Sequence, residues 1–314
     1  MSTRIDGNSF KADWPESLKP IQNPPRVGVI TKVAITILDY LRSFVFSWII
    51  PGAAIHSSEH HQDILEKWNG QQIKMQAPDG AVLDGIFIEG ISNPEKVILF
   101  GGGNAMRWEN SAETIYQISR TGASVFYINP RGVGESKGKL YDEGYALDFY
   151  TAFEFLIEKT YKIENILPVG FSMGGANAAR GAALIQDKYP RKKVSAINIC
   201  SFSSLSSEIK ELLGGGVLGT IASLAAWHLG IEMKVTKSWE KLKGDKFIFI
   251  NTKDEMIPKK ASLHEAVNPS KENFYEMEHK KEDNHFIPDS VLDAHKLRWK
   301  IEEMLGLMPP LKME

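Results

Sequence analysis

The pattern of apolar and polar positions becomes regular from about residue 72 onward, where short β-branched and aromatic runs alternate with longer stretches of helical period. This alternation predicts a mainly parallel sheet with helices on both faces. An opening hairpin of 72–76 and 82–88 is expected, because proline, aspartate and glycine at 78–80 favour a tight turn. The other predicted strands are 96–100, 123–129, 166–169, 194–199, 246–251 and 273–277, and the predicted helices are 108–120, 145–161, 173–185 and 290–304.

Between residues 202 and 240 the alternation is interrupted by a segment that is neither a strand nor an ordinary surface helix. Its stretch 212–231 carries no formal charge apart from that of a protonated His228. The length of this stretch matches a membrane span, but its five glycines weaken a helix and it lies inside the series of strands and helices. We therefore expect a lid insertion at about 202–240, formed by a buried or lid helix pair.

A second apolar stretch, 27–55, precedes the regular part of the chain, and its longest uncharged portion is shorter than a bilayer span. We expect a helix that lies either on the protein's own surface or at a membrane interface. Residues 1–25 lack the basic start and apolar run of a secretory signal, so a cytoplasmic location is expected, with peripheral membrane contact as the open alternative. The chain thus divides into an N-terminal extension, 1–66, and an α/β domain, 67–314.

The composition is that of a folded globular protein, with 43% hydrophobic and 24% charged residues. The 37 basic and 39 acidic residues give a formal charge of −2 without long runs of one sign, so no nucleic-acid partner is expected. The single cysteine, Cys200, excludes an internal disulfide and the thiolate zinc motifs, and its apolar surroundings predict burial. His56, His60 and His61 lack a second set of ligands, so a solvated turn is expected there rather than a metal site.

Two G-x-S-x-G motifs occur, at 170–174 and 134–138, and this motif marks a turn that presents a nucleophilic serine. Such a turn must lie directly between an apolar strand and a helix, with small neighbours that let it tighten. Ser172 meets this requirement, because an apolar run precedes it and small residues follow it. Ser136 lies beyond the end of a predicted strand among charged and turn-forming residues, and is expected to be a solvated loop serine. Ser172 is the predicted nucleophile.

A serine hydroxyl is a poor nucleophile at neutral pH and needs an adjacent base, which a carboxylate orients. Where such a turn carries the nucleophile, the acid and then a histidine follow it in chain order, in loops after late strands. Asp254 follows the predicted strand 246–251 and is the acid that we choose. A loop aspartate that caps the helix beginning at Pro258 is the structural alternative, and Glu255 is the nearest substitute.

Four of the eight histidines follow Asp254 in the chain, and three of them lie beyond the last predicted strand, 273–277. His295 lies within the final helical pattern, and His279 lies close to the end of the last strand. His285 lies in a polar loop between that strand and the closing helix, where an imidazole can reach the serine turn. His285 is therefore the predicted general base, with His279 as the alternative.

The tetrahedral intermediate of acyl transfer needs preorganised N–H donors for its oxyanion. Met173, directly after the nucleophile, supplies one donor, and the loop after the third strand supplies the other. That loop contains the glycine run 101–103, which lets the backbone approach a substrate oxygen closely. We assign the second donor to the Asn104 N–H, with Gly103 as the alternate. A purely structural glycine turn is the competing interpretation.

Five motifs in register resemble the α/β-hydrolase superfamily, particularly its serine acyl-hydrolase branch of esterases, lipases and thioesterases. They are the oxyanion turn 102–105, the loop 129–136 after the fourth strand, the serine turn 170–175, the acid loop 254–258 and the histidine loop 284–286. The resemblance covers about residues 72–305. Two positions depart from the family pattern, since Gly102 replaces the usual histidine and Asn129 replaces the common aspartate.

The resemblance implies an α/β-hydrolase fold and a serine hydrolase that cleaves a carboxylic ester or thioester through an acyl-enzyme. Ser172 would attack the carbonyl, His285 would take and return the proton, Asp254 would hold the imidazole tautomer, and water would release the acyl group. This chemistry requires no metal and no organic cofactor. The expected partner is a small ester or a lipid-like substrate, with an apolar acyl group because the lid insertion is apolar.

Two other functions stay open at this point. The same fold supports serine peptidases, and it also supports non-catalytic binding or membrane-associated proteins. The complete set of nucleophile, acid, base and oxyanion donors argues against a non-catalytic protein. Nothing in the sequence indicates an oligomeric state.

Overall fold

The computed structural model describes residues 10–20, 64–228, 231–277, 285, 287 and 291–307. Among these residues, every predicted strand and helix is present within a few residues of its predicted bounds, except that 108–120 forms a 3-10 turn, Trp108–Asn110, followed by a helix. The strands are β1 (Gln71–Gln76), β2 (Val82–Ile88), β3 (Asn93–Gly101), β4 (Ala123–Asn129), β5 (Ile166–Phe171), β6 (Ala196–Ile199), β7 (Lys246–Ile250) and β8 (Phe274–Glu276). The helices are α1 (Ala112–Ser119), α2 (Asp142–Glu158), α3 (Met173–Lys188), α4 (Leu205–Leu212), α5 (Val217–His228), α6 (Val235–Lys241), α7 (Leu263–Val267) and α8 (Val291–Met304).

The eight strands form one sheet in the order β1-β2-β4-β3-β5-β6-β7-β8. β1 and β2 pair antiparallel, as the predicted hairpin requires, and β2 also pairs antiparallel with β4. All pairs from β4 to β8 are parallel. The prediction of a mostly parallel central sheet is therefore confirmed.

Both faces of the sheet are buried, which explains why the parallel strands read as continuous apolar runs. Along β3, Val97 and Leu99 belong to the core that α2 and α3 share, while Ile98 and Phe100 belong to the core that α1 and α8 share. The side chains alternate in this way because a strand has a period of two residues. Helices thus cover both faces, and Cys200 is buried, as predicted.

The edge of the sheet where a ligand can bind is set by the strand order. The chain crosses from β3 to β4 on one side and then returns past β3 to β5 on the other side, so the direction of the crossovers reverses at β3. Open α/β sheets bind ligands at the carboxyl ends of their strands, at such a reversal point. Gly101 at the end of β3 is in register with Gly170 near the end of β5. The glycine loop after β3 therefore lies next to the serine turn after β5.

The described part of the N-terminal extension packs on the sheet. The Ala12 N–H donates to the Gln76 carbonyl of β1 at 3.0 Å. The Phe10 ring contacts the Phe155 ring of α2, with centroids 5.4 Å apart. The apolar stretch 27–55 and the histidine cluster after it lie outside the described residues, so the surface helix and the domain boundary stay predictions.

The insertion at 202–240 folds into α4, α5 and α6, so the expected helix pair is present. Between α4 and α5 the chain turns at Gly214 and Gly215, whose φ values of +81° and +67° lie in the left-handed region open to glycine. α5 is not buried, because its large apolar side chains face solvent: Val217, Leu218, Ile221, Leu224 and Trp227. Within the described ranges, no helix combines the length and hydropathy needed to cross a bilayer. The lid role stays a prediction.

Candidate active site

Ser172 lies at the sharp turn between β5 and α3. Its backbone has φ 53° and ψ −121°, a conformation that costs a non-glycine residue about 1–3 kcal/mol. The Ser172 N–H donates to the Ile199 carbonyl at 2.8 Å, and the Ser172 carbonyl accepts the Ala176 N–H at 3.2 Å. These bonds from the end of β6 and the first turn of α3 hold the serine in its strained conformation.

Two glycines of the serine motif are required by the close approach of backbone segments. A Cβ at Gly170 would lie 2.3 Å from the Gly174 carbonyl oxygen, and a Cβ at Gly174 would lie 2.2 Å from the Gly101 oxygen. No side chain fits at these distances. The glycines therefore let the start of α3 pack directly against the ends of β3 and β5.

His285 links Ser172 to Asp254 through two hydrogen bonds. The Ser172 Oγ lies 2.9 Å from His285 Nε2, and His285 Nδ1 lies 2.7 Å from Asp254 Oδ2. A carboxylate only accepts, so Nδ1 carries the proton in this arrangement and Nε2 is left to accept the serine hydroxyl. The imidazole also packs on the Phe171 ring, with centroids 4.8 Å apart. The structure thus brings together the three residues that the sequence predicts as nucleophile, base and acid.

The backbone of its own loop orients Asp254. Asp254 Oδ1 accepts the N–H groups of Met256 at 2.9 Å and of Ile257 at 2.8 Å. Oδ2 faces His285, so the capping role and the contact with the imidazole coexist, each on one carboxylate oxygen. Asp254 and Ser172 are each 8% exposed. Their hydrogen bonds to His285 are therefore shielded from bulk water.

The serine of the second motif, Ser136, has a structural role. It is 3% exposed, so the expectation of a solvated loop serine is wrong. Its hydroxyl donates to the Asn129 carbonyl at 2.7 Å and accepts the Asp84 N–H at 2.8 Å. Both partners are backbone groups of β2 and β4, and neither is a base. Ser136 therefore ties the loop after β4 to the neighbouring strand.

The alternatives for the acid and the base occupy other places. Glu255 follows Asp254, but its side chain is exposed. His295 is exposed on α8. His279 lies outside the described residues, and the position next to Ser172 is occupied by His285.

The loop after β3 lies beside the serine turn. A Cβ at Gly103 would lie 2.9 Å from a ring carbon of Phe171, the residue before Ser172. The Gly103 N–H donates to the Met106 sulfur at 3.3 Å, which is a weak acceptor, and Asn104 is exposed in the same loop. The Met173 N–H is the first of α3, in a position where a helix offers no internal acceptor. Backbone donors of both predicted oxyanion elements therefore lie around the serine turn.

The departure from the family pattern at Gly102 has a steric cause. A Cβ at this position would lie 2.1 Å from the Tyr127 hydroxyl and 2.9 Å from the Met106 Cβ. Tyr127 is fully buried, and its hydroxyl lies 3.1 Å from the Ser111 hydroxyl. The tyrosine therefore occupies the space that a histidine at position 102 would need.

The departure at Asn129 has an electrostatic cause. Its amide nitrogen donates to Asp84 Oδ2 at 3.3 Å and to Glu109 Oε2 at 3.0 Å, while its oxygen accepts the Trp108 N–H at 3.0 Å. An aspartate here would place a third carboxylate beside two buried ones, which is unfavourable. Burial, with a contribution from the charge of Glu109, already raises the pKa of Asp84 to about 6.

One buried carboxyl near the site has no signal in the sequence. Glu208 on α4 has a buried carboxyl oxygen, Oε2, for which the described residues offer no hydrogen-bond partner. Burial, together with the negative charge of Asp254, raises the pKa of Glu208 to about 8. The residue lies in a polar stretch of the chain. Its burial arises because α4 packs over the loops after β6 and β7, among them the 3-10 turn Lys259–Ala261.

The described side chains around the site do not form a metal centre. Among the residues that the structure describes, no group of three or more His, Cys, Asp or Glu side chains is placed to hold a metal ion. Burial raises the pKa of the Cys200 thiol well above its ordinary value, and the charge of Asp254 adds to this effect. A protonated, buried thiol is a poor metal ligand and a poor nucleophile.

A family model described as the alpha/beta hydrolase fold matches residues 96–277, more than half of the chain. Among curated proteins, the multifunctional-autoprocessing repeats-in-toxin of Vibrio cholerae is 34% identical over 125 residues, which are 37% of this chain and 3% of the toxin. The chain thus spans only a small fraction of that relative's length. Protein bem46 of Schizosaccharomyces pombe is 25% identical over 252 residues, which are 76% of this chain and 80% of bem46.

A solved structure also shares the fold of this chain. The Pyrococcus furiosus esterase Pf2001 superposes with a TM-score of 0.57 at 16% sequence identity, covering 81% of this chain and 95% of the esterase. At this level of identity the similarity shows that the two chains share a fold.

Proposed function

This chain belongs to the α/β-hydrolase family, and on that premise we propose that it is a serine hydrolase that cleaves a carboxylic ester or thioester through an acyl-enzyme on Ser172. The observation that carries the proposal is the hydrogen-bonded series from the Ser172 Oγ through His285 to the Asp254 carboxylate. Such a series activates a serine hydroxyl, which is otherwise a weak nucleophile. The match to the family model supports the hydrolase class.

In the first half of the reaction, the Ser172 Oγ attacks the substrate carbonyl carbon while His285 Nε2 takes the hydroxyl proton. Asp254 accepts the Nδ1–H throughout, which keeps the imidazole in the required tautomer and stabilises its positive charge. His285 then gives its proton to the leaving alcohol or thiol as the bond to the carbonyl carbon breaks. The product of this half is an acyl ester on Ser172.

The negative oxygen of the tetrahedral intermediate is stabilised by backbone donors. We assign the Met173 N–H as the first donor, because it stands at the start of α3 directly after the nucleophile. The Asn104 N–H is the second, with Gly103 as the alternate. Donation of the Gly103 N–H to the Met106 sulfur favours Asn104. Preorganised donors of this kind are worth about 10²–10³ in kcat each.

In the second half, a water molecule replaces the leaving group. His285 Nε2 takes a proton from the water, the hydroxide attacks the acyl carbon, and the proton returns to the Ser172 Oγ as the acid leaves. The enzyme is restored without any change in its other groups. The same residues therefore serve both halves of the reaction.

For the substrate, we propose an ester with an apolar acyl group. The Pyrococcus furiosus neighbour is named an esterase, which supports ester chemistry. The apolar side chains of α5, which belong to an insertion that begins at the same edge of the sheet as Ser172, support an apolar acyl group. A panel that pairs each ester with the corresponding amide separates this proposal from a peptidase of the same fold.

Labelling with a fluorophosphonate, which phosphonylates an activated serine, tests the assignment of the nucleophile. We expect the wild-type chain to be labelled and to hydrolyse p-nitrophenyl esters. Ser172→Ala should do neither, because the attacking oxygen is missing. An unlabelled, inactive wild-type chain would instead favour the non-catalytic alternative.

Ser136→Ala is the matched control, since it removes the serine of the other motif. We expect this variant to be labelled like the wild type, because the Ser136 hydroxyl bonds to backbone groups of β2 and β4. It should unfold at a lower temperature, because two buried backbone groups lose a partner. Labelling that persists in Ser172→Ala and vanishes in Ser136→Ala would overturn the assignment.

A further inference from the structure

Helix α5 turns its large apolar side chains away from the protein. At 100° per residue, its exposed positions occupy an arc of about 180°, half of the helix circumference. Five large apolar residues lie on this arc and are between 55% and 78% exposed: Val217, Leu218, Ile221, Leu224 and Trp227. The remaining members are Thr220, Ala225 and His228. We call the five large residues the α5 ridge.

The side of α5 that faces the protein is made of small residues. Gly219 and Ala226 are its buried positions, and Ala222 and Ser223 lie at the borders of the buried arc. Gly219 packs so closely on α4 that a Cβ there would lie 2.4 Å from the Lys210 carbonyl oxygen. A surface helix in water normally has the opposite arrangement, with its large apolar side chains on the protein side.

We propose that the α5 ridge docks on a lipid surface, with α5 lying in the plane of the interface. An exposed apolar face of this kind is unfavourable in water and marks a surface that binds a partner or a membrane. The helix has 12 residues, so its length of about 18 Å is too short to cross a bilayer core of about 30 Å. It suits an interfacial helix, whose apolar face is buried at the boundary of headgroups and acyl chains.

The breadth and chemistry of the ridge favour lipid over a protein partner. The exposed arc of about 180° is wider than the stripe of roughly 100° that is enough to pack a surface helix on a protein, so a single helical partner would leave part of the arc in water. A continuous medium covers all of it. The stretch from Leu212 to Ile231 has no formally charged side chain apart from a protonated His228, so it offers a protein partner no ion pairs. Trp227, near the end of the helix, is the residue type that prefers the headgroup boundary.

The position of the α5 ridge in the chain relates lipid docking to the active site. α4 follows the carboxyl end of β6, and Ser172 follows the carboxyl end of β5, so the insertion begins at the edge of the sheet where the serine lies. Docking through α5 would hold that edge against the lipid. Lipid docking goes beyond the proposed hydrolysis and does not depend on it. Lipid binding is therefore measured on the full chain carrying Ser172→Ala, a variant that cannot hydrolyse the lipid.

The test is co-sedimentation of the full chain with sucrose-loaded phosphatidylcholine vesicles. We expect Ser172→Ala to sediment with vesicles, with little change between about 0.1 and 0.5 M salt, because the ridge is uncharged. Adding Leu218→Asp and Ile221→Asp should lower the partition coefficient at least tenfold. Ile91→Asp is the matched control and should leave it unchanged. Ile91 is 96% exposed, and the residue after it bonds to Gly122 just before β4, at the opposite edge of the sheet.

A second measurement reports contact directly. Cys200 is the only cysteine and is buried, so Leu218→Cys and Ile91→Cys can each be labelled with an environment-sensitive nitrobenzoxadiazole dye. We expect a blue shift on adding vesicles for the dye at 218 and none for the dye at 91.

Three outcomes would overturn the proposal. The chain could fail to sediment with vesicles, or it could bind equally well with both aspartates in place, which would put the contact elsewhere, as in the stretch 27–55. It could also form a dimer in the absence of lipid that the two aspartates dissociate, which would make the partner of the α5 ridge a second copy of the chain.

Discussion

Ser172 meets an imidazole whose other nitrogen is already bound to a carboxylate. Asp254 holds the Nδ1–H of His285, and the Phe171 ring supports the face of the imidazole. The position of Nε2 against the serine oxygen is therefore fixed by two contacts that do not involve the substrate. A group oriented in advance in this way costs little to align when the reaction begins.

Replacement of either His285 or Asp254, which assist Ser172, is expected to cause a large loss of kcat. His285→Ala is expected to lower kcat for a p-nitrophenyl ester by about three or more powers of ten, because His285 is the base in contact with the Ser172 Oγ. Asp254→Asn should be comparably severe, because an amide holds the imidazole in the wrong tautomer. Steady-state kinetics, with circular dichroism to check folding, measures both effects.

The matched controls for these variants are Glu255 and His279, the alternative acid and the alternative base. Glu255→Gln should change kcat less than tenfold, because Glu255 is exposed. His279→Ala should also be mild. A severe His279→Ala together with a mild His285→Ala would show that the base belongs six positions earlier in the chain.

Single residues also show where sequence reasoning ends. Ser172, Asp254 and His285 could be proposed because each has a local context, a strand end or a loop, that the sequence displays. The reasons for Gly102 and Asn129 could not be, because they depend on partners brought together by folding. Asn129 meets Asp84, 45 positions away, only once β2 and β4 have paired.

Among the elements, the strands and most helices follow from period and turn residues, and their predicted order is the observed one. The insertion was predictable as a helix pair, but the direction in which α5 faces was not. The expectation of burial assumed that large apolar side chains point inward. Helix α5 instead has its small residues on the protein side. Because its sequence has no charged residues, it contains no polar face from which the orientation could be predicted.

A lid formed by α4 and α5 remains a prediction, and it concerns the acyl chain of the substrate. In the absence of a lipid surface, a hinge movement of the α4–α5 pair at Gly214 and Gly215 would lay Leu218 and Leu224 over the site. We then expect kcat/KM to rise with acyl length by up to about fourfold per methylene, since burying one methylene is worth about 0.8 kcal/mol. Leu218→Ser/Leu224→Ser should flatten the profile for monomeric esters.

The control for this series is Ile91→Ser, which alters an exposed apolar residue at the opposite edge of the sheet. Its chain-length profile should match that of the wild type. A flat profile in the wild type, or a rising profile that the two serines leave unchanged, would rule out the lid while leaving the assignment of Ser172 untouched.

For the whole molecule, two buried carboxyl groups make the stability of the fold depend on pH. The pKa of Asp84 is raised to about 6 and that of Glu208 to about 8, in both cases mainly by burial. Between the ordinary pKa of each group and its raised value, the folded chain holds a proton that the unfolded chain has released. The free energy of unfolding therefore falls as pH rises, up to about pH 6 for Asp84 and about pH 8 for Glu208.

Glu208→Gln separates the two contributions, because glutamine keeps the shape of the side chain and does not ionise. Between about pH 6 and 8 the wild-type free energy of unfolding should fall relative to that of the variant by on the order of 2 kcal/mol, since each pKa unit corresponds to about 1.4 kcal/mol. Below pH 6 the fall in the free energy of unfolding that Asp84 causes should remain in both proteins.

Urea denaturation at half-unit steps from about pH 4.5 to 9 gives the two curves. Glu211→Gln, on the same helix, is the control and should run parallel to the wild type. The difference in the free energy of unfolding between wild type and Glu208→Gln could instead stay constant from about pH 6 to 8. This outcome would show that Glu208 is ionised in the folded protein and has a partner that the buried position of Oε2 does not reveal.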